Sequence, residues 1–311
     1  EQFELILIND DSSDASLSIV NSYKTKHPKL NLSLIDNKKQ SSSPKKDAIH
    51  KGISVASNNW ILTTDADCIV PKNWLNAFDA MIKQQSPKMI VAPVSYLPKT
   101  GFLHKFQLLD FLSLQGITMG SFGMKDKKFG HPFLCNGANL CYTKESFKEV
   151  NGFSGNHDIA SGDDVFLLEK MLEKFPDKIQ FVKSKDAIVL TSSKDSFREL
   201  IQQRVRWAAK TTAYNSFFTK SVGALVFMTS LSMVSIMILA SIGQLSWLHV
   251  GFIFLLKFNI DFLLLYKTSQ FFKQQEVMKS YFISSMLYPF YTVLIALLSL
   301  KKSYTWKDRT Y

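Results

Sequence analysis

Apolar and polar positions are unevenly spread along this chain, and the pattern changes character near residue 210. Phe3 to Ile8 is nearly all apolar without strict alternation, which is how a central parallel strand buried on both faces reads. Asn9 to Asp14 supplies turn and capping residues, and Ala15 to Lys26 follows as a helical stretch. The unit then repeats: a strand from Asn31 to Ile35, a polar Lys, Ser and Pro stretch from Asn37 to Lys46, a helix from Asp47 to Ala56 and a strand from Trp60 to Thr64. Asp65 to Pro71 reads as a loop, Trp74 to Gln84 as a helix and Met89 to Ser95 as a strand. Strands alternating with helices in this way specify an α/β domain with a mostly parallel sheet.

Gly101 to Met119 is apolar at helical spacing and suits either the sheet or a membrane face; the sequence leaves both open. Phe129 to Tyr142 is irregular with a strand-like end, and Lys144 to Val150 and Asp164 to Phe175 are helices. Ser196 to Thr212 is a basic amphipathic helix, which places a domain boundary near Lys220: a globular domain over 1–220 and a membrane domain over 221–311.

Three long apolar runs occupy the second part, at 223–243, 247–266 and 281–300. The first carries no charge, and at about 1.5 Å per residue it is long enough to cross a hydrocarbon core of about 30 Å. Trp, Tyr or Lys stands near the ends of the other two, where amphipathic groups favour the headgroup layer. Composition agrees, since the mean hydropathy of +0.00 with 25 Phe is high for a chain whose polar residues come early. Within the second run Lys257 and Asp261 are four apart, which suits mutual neutralisation or an acceptor path. A net charge of +11, not gathered in one tract, suits anionic lipid and phosphate-bearing substrates; no nucleic-acid motif accompanies it, and no nucleic-acid partner is expected. Cys68, Cys135 and Cys141 form no CxxC pair, which disfavours a disulfide framework and a zinc site and points to a reducing compartment.

Four constellations carry chemistry. In LILINDDSSD, Asp10 lies at the carboxyl end of a buried strand, where ligands bind in open α/β sheets. It can serve a nucleotide's base or ribose, or cap the next helix. In ILTTDADC, Asp65 and Asp67 project to one side if extended, giving a hard-oxygen site for Mg²⁺ or Mn²⁺ that would bridge to a diphosphate. In IASGDDVFLLEKM, Asp163 and Asp164 open an amphipathic helix whose dipole favours them; one can cap while the other takes the proton from an acceptor hydroxyl. In IQQRVRWAAK, Gln203, Arg206 and Trp207 sit on neighbouring faces of one helix, with Arg suited to diphosphate oxygens and the indole to a sugar ring or the membrane surface.

In this fixed order, and ending at a membrane segment, the four motifs resemble those of family 2 glycosyltransferases of the GT-A fold, in the membrane-bound branch with synthases of cellulose and hyaluronan type. The resemblance covers about Glu1 to Lys210. It implies that Asp10 binds the nucleotide of a nucleotide-diphosphate sugar, with UDP as the expected carrier. It further implies that Asp65 and Asp67 hold diphosphate and metal, that Asp164 is the catalytic base, and that Gln203, Arg206 and Trp207 form a QxxRW motif. CNGANLCYTKESFKEVNGF resembles the segment shaping the donor-sugar and acceptor pocket, with Gly137, Ala138 and Asn139 at its centre and Asp163 beside it. WKDRTY resembles a W-K-G-R-x-Y tail of lipid-modifying members, with Asp308 in place of Gly. Asp163 stands where Glu is common and Asp11 where Gly is frequent, and the family's opening strand is missing ahead of Glu1, so a truncated start is expected.

The resemblance implies an inverting transfer to a lipid, lipid-linked or glycan acceptor by a multi-pass protein of the cytoplasmic membrane with its catalytic domain in the cytosol. A processive polysaccharide synthase and a non-catalytic membrane scaffold are the alternatives. Three crossings would put Lys301, Lys302, Lys307 and Arg309 outside, against the positive-inside rule, so one run is expected to be re-entrant, with Pro289 marking the third.

Overall fold

The computed structural model describes residues 3–38, 40–41, 43–124, 130–155 and 162–300, and the backbone of 305–306 and 309–310. The residues just ahead of Gly162 and the tail side chains behind the WKDRTY comparison lie outside the described residues.

The chain opens with β1 (Leu5–Asn9), α1 (Ser16–Lys26), β2 (Leu32–Asp36), α2 (Pro44–Val55), β3 (Trp60–Thr63) and α3 (Trp74–Gln85). β1 and β2 pair in parallel, Leu5 opposite Leu32 through Asn9 opposite Asp36. The run read as one strand over Met89 to Ser95 is two, β4 (Met89–Val91) and β5 (Val94–Tyr96), because Pro93 has no N–H to offer a ladder. Its carbonyl is used instead, accepting from Val189 N and Asn139 Nδ2.

Next come α4 (Phe102–Gly123), β6 (Leu140–Thr143), α5 (Lys144–Glu149), α6 (Asp163–Lys174), β7 (Ile179–Phe181), β8 (Val189–Thr191) and α7 (Phe197–Ala209). β6 enters antiparallel between β3 and β4, while β4–β7 and β5–β8 are parallel pairs. β7 and β8 are additions to the sequence expectation. Alternation along the central strands sorts two cores. Met89, Val91, Leu140 and Tyr142 meet Leu168 and Met171 of α6 on one face, and Ile90 and Cys141 meet Phe78 of α3 on the other.

α4 settles the choice the sequence left open by packing on both neighbours. Tyr96 of β5 stacks on Phe111 at 4.5 Å, and Leu109 and Leu112 join Leu265, Phe272, Val277 and Tyr281 of the C-terminal helices. Those helices are α8 (Phe217–Ser241), α9 (Trp247–Phe271) and α10 (Tyr281–Ser299), the last preceded by a 3₁₀ turn over Gln275–Ser280. Three segments, Phe217–Ser241, Trp247–Phe271 and Gln275–Ser299, are long and apolar enough to cross a membrane. Pro289 lies inside α10 without ending it.

Candidate functional site

β3 ends at Thr63, and the chain turns at once. Cys68 N donates to Asp65 O at 3.1 Å, so the Asp65–Asp67 segment is a turn rather than the extended stretch that a same-side projection assumed. The turn still gathers the acidic groups: one ligand atom each from Asp65, Asp67 and Cys68 lies within 4.8 Å of the others. The turn is fastened to β8 by paired bonds between Ile69 and Leu190. Burial, then the charges of Asp65 and Asp67, push the Cys68 thiol up to about 11, so it is a neutral neighbour of two carboxylates.

α6 begins one residue after Gly162, whose φ of +86° lies in the left-handed region that favours glycine. A Cβ there would also stand 3.0 Å from the Phe166 ring. Asp163 and Asp164 thus occupy the first turn of α6, where the unpaired N–H groups favour anions. Asp164 Oδ2 accepts from Gly137 N at 3.0 Å and its Oδ1 from Val165 N at 2.9 Å. Asp163 is 7% exposed. Burial alone would raise its carboxyl, yet Lys45, then Lys210 and Lys46, hold it below the usual carboxylate range.

Lys45 joins the two acidic groups. Its ammonium lies 2.9 Å from Asp65 Oδ1 and 3.7 Å from Asp163 Oδ2, so the carboxylates are no more than two ion-pair lengths apart. The sequence reading placed Lys45 and Lys46 in a polar loop; both belong to the first turn of α2, which starts at Pro44. Two cations at a helix N-terminus oppose the dipole, and that opposition was the available signal. Lys46 is 2% exposed, and burial pushes its ammonium down to about 8. Lys210, just past α7, is pushed down to about 8 as well, by burial and then against the pull of Asp164, with Arg206 adding repulsion.

Gly137 closes this cluster from above. Its carbonyl accepts from Thr63 Oγ1 at 3.1 Å, and a Cβ would meet Asp163 Oδ2 at 3.3 Å and Lys45 Nζ at 3.5 Å, so a larger side chain would crowd the ion pair. The space enclosed by Thr63, Gly137, Asp163 and Asp164 measures about 10 Å³, room for about one water. Ala138 is buried, and Asn139, expected in the pocket, has no exposed surface. Its amide donates to Pro93 O and Ala187 O and accepts from Trp74 Nε1. Asn139 therefore braces the wall behind Gly137.

Asp10 does not cap α1, since Asp14 Oδ1 accepts from Ser16 N at the start of that helix. Asp10 Oδ1 accepts from Asn37 Nδ2 at 2.9 Å, and the same amide donates to Pro44 O, which ties Asp10 to the start of α2 and so to Lys45. Asp11, where glycine is frequent in the resembled family, has φ +58°, a conformation glycine adopts freely and Asp tolerates.

On α7 a fourth residue is more deeply buried than the three expected. Arg204 is 6% exposed and donates through Nε to Asp110 Oδ2 of α4 at 2.7 Å. Its Nη1 donates to Gln203 Oε1, and its guanidinium lies 4.2 Å over the Trp207 ring. Gln203 is thereby turned to Arg204, and Trp207 packs against the cluster that holds Ala138 and Phe111, its ring 6.3 Å from that of Phe111. Arg206 stands by Lys210 on the Asp164 side.

Solved structures similar to this chain are known. The mannosyltransferase PcManGT from Pyrobaculum calidifontis, in complex with GDP-Man and Mn²⁺, is 15% identical over 91% of this chain and 77% of its own, with a TM-score of 0.51, a likeness that shows the fold alone. S. aureus TarS 1-349 in complex with UDP-GlcNAc aligns over 99% of this chain and 86% of its own at 11% identity, with a TM-score of 0.44. A comparison with curated proteins finds no significant sequence match. The model of glycosyl transferase family 21, however, matches residues 1–311. With the GT-A fold in place and the family match running the length of the chain, this glycosyltransferase belongs to glycosyl transferase family 21.

Proposed function

We propose that this protein moves a sugar from a nucleotide-diphosphate sugar, with UDP as the expected carrier, to a hydroxyl of a lipid, lipid-linked or glycan acceptor at the cytoplasmic face of the membrane, inverting the anomeric centre. The observation that carries the reading is the Lys45 ammonium held between Asp65 of the DxD turn and Asp163 of the Asp163–Asp164 pair. It supports a reading in which the Asp65–Asp67 turn and the candidate base Asp164, next to Asp163 in sequence, share one cleft, as in-line displacement needs.

In this reading Asp10 contacts the nucleotide, with Asn37 beside it; the Asn37 Oδ1 atom has no partner within the protein. Asp65 and Asp67 would hold a divalent cation. Their carboxylates fit Mg²⁺ or Mn²⁺, which seek oxygen ligands, and the neutral Cys68 thiol adds little for such ions. A bound cation would supply charge neutralisation for the leaving diphosphate. The mannosyltransferase solved with GDP-Man and Mn²⁺ supports that assignment by fold. Asp164 takes the proton from the acceptor hydroxyl. Each of its oxygens accepts one backbone N–H, which fixes the carboxylate and leaves a lone pair on each. Arg206 and Lys210 face the departing diphosphate, while Trp207 and Ala138 floor the sugar.

The boundary is drawn near Lys220, with the transferase domain over 1–220 in the cytosol and the membrane domain over 221–311 holding α8 to α10. The test is a screen of nucleotide sugars against membranes containing the protein, reading nucleotide release and the mass of extracted lipid. Donor-specific release with a glycosylated lipid is the expected result. Release from no donor would end the proposal.

A further inference from the structure

Lys45 holds two carboxylates of unequal exposure. The Asp65 side chain, 2.9 Å from the ammonium, is 40% exposed, and that of Asp163, 3.7 Å away, is 9% exposed. Lys45 itself is 33% exposed, whereas Lys46, the next residue on α2, is buried and lies 5.8 Å from the centre of the Phe166 ring. The start of α2 thus sets one lysine into the wall and leaves the other partly exposed on a flexible four-carbon stem.

Asp65 has two claimants. Its Oδ1 is paired with the Lys45 ammonium, and the same side chain offers an oxygen to the group it forms with Asp67 and Cys68. An ammonium and a divalent cation on one carboxylate repel each other at a few ångströms. The arm to Asp65 is the one that gives way, because water screens an exposed pair more than a buried one. Asp163 does not depend on Lys45 alone, since Lys210 and Lys46 act on it as well. Lys45 can therefore leave Asp65, and swing farther, without leaving the buried carboxylate uncompensated.

A diphosphate offers it the next partner. Phosphate oxygens bridged to a cation at Asp65 and Asp67 come to the carboxylate that Lys45 gives up, and a lysine ammonium binds phosphate as a point charge.

We propose that Lys45 is a positioning residue that makes cation and nucleotide bind together: it competes with the cation for Asp65 and passes to the diphosphate when the nucleotide arrives. The proposal rests on the glycosyl-transfer reading and deepens it by giving the donor site a device that couples its two ligands. With Lys45 on Asp65, the acidic turn holds a cation weakly by itself. With the nucleotide in place, the charge that opposed the cation neutralises phosphate oxygens instead, so its effect on binding changes sign. Such coupling is reciprocal, and the factor that UDP adds to cation affinity is the factor the cation adds to UDP affinity.

The test titrates the full chain in detergent with Mn²⁺, without and with saturating UDP, reading the free ion by electron paramagnetic resonance and subtracting what UDP alone takes up. Without UDP, Lys45→Met should bind Mn²⁺ about five- to twenty-fold tighter than wild type, since an exposed ion pair need no longer be broken and a repulsion is gone. With UDP that gain should vanish or reverse, while Lys45→Arg, which keeps the charge, should follow the wild type in both conditions. Asp163→Asn leaves Lys45 to Asp65 alone, so it should weaken Mn²⁺ binding more without UDP than with it. A change of equal size in the two conditions, in either variant, would make Lys45 a fixed charge and overturn the exchange; so would Lys45→Met binding Mn²⁺ no tighter than wild type. Failure of the wild type to bind Mn²⁺ even with UDP is a separate outcome: it would end the metal assignment of the transfer reading, and the exchange with it.

Discussion

Lys45→Met keeps the length and apolar stem of the side chain and deletes only its charge. The arm to Asp65 joins partly exposed groups, 33% and 40% for the two side chains, and such pairs contribute about 0–1 kcal/mol. The arm to Asp163 ends on a carboxylate that is 9% exposed. Stripping a buried charge of its partner costs about 3–5 kcal/mol when nothing else compensates. Here Lys210, Lys46 and the α6 N-terminus still do, so about 1–3 kcal/mol is expected from this arm. Asp163 sits below its unfolded value of about 3.9. The stabilisation it gives is therefore complete above that value and is lost as pH falls through the lower, folded one. Without Lys45 the folded value rises, so the loss begins at higher pH.

The assay is acid unfolding of the full chain in detergent with a chelator present, followed by tryptophan fluorescence. The variant should unfold at a higher pH than the wild type, and the difference should close below both carboxyl values, where Asp163 is protonated in either chain. A difference that persisted there would mean that Lys45 acts by packing rather than charge. Nucleotide release should fall about 10²- to 10³-fold, the usual cost of one preorganised electrostatic group, with recovery in Lys45→Arg. An unchanged midpoint together with turnover within two-fold of wild type would refute the reasoning.

Three more outcomes are expected. Asp164→Asn should lower transfer about 10²- to 10⁴-fold in single-turnover assays while donor binding stays within several-fold, because the amide oxygen can still accept from Gly137 N. Lys46 and Lys210, pushed down to about 8, are charged below that pH and neutral above it. The kcat/KM profile for donor should accordingly fall through about pH 8, and Lys210→Arg should make that fall shallower, leaving the part due to Lys46. Chelation should abolish transfer with recovery by Mg²⁺ or Mn²⁺, and Asp67→Asn should raise the metal concentration needed for half activity, as read by titration.

What could be read from the sequence followed local signals. The apolar run before Asp10 is a strand, as expected, but it is partly exposed beside β2 alone rather than buried on both faces; the amphipathic stretches that became α6 and α7 and the long C-terminal runs each declare themselves within a few turns. β7 and β8 did not, because Ile179–Phe181 and Val189–Thr191 are too short to show a period and are strands only through their partners on β4 and β5. The start of α2 was hidden for a different reason. Its apolar spacing appears only after Asp47, and the preceding polar stretch is organised by the Asp47 carboxylate accepting from Gln40 N and Ser41 N. Arg204 and Arg206 look interchangeable in IQQRVRWAAK. Asp110, 94 positions away, decides that Arg204 is the buried one.

The same pair shows why a boundary near Lys220 is one of composition rather than of packing. α7 sends Trp207 toward Ala138 at the site, while Leu200 and Val205 of the same helix pack with Phe106 of α4 and with Tyr291 and Ile295 of α10. Arg204 sits between these two faces, and its partner Asp110 lies near the Tyr288 side chain of α10. A guanidinium and a carboxylate this deeply buried hold together only in fixed geometry, since either one alone would be an uncompensated charge. Any rotation of α10 against α4 must therefore disturb Arg204, and through it the indole it covers. The C-terminal helices are consequently packed, through α10, on the same two helices, α7 and α4, whose Trp207 and Phe111 meet near the candidate site.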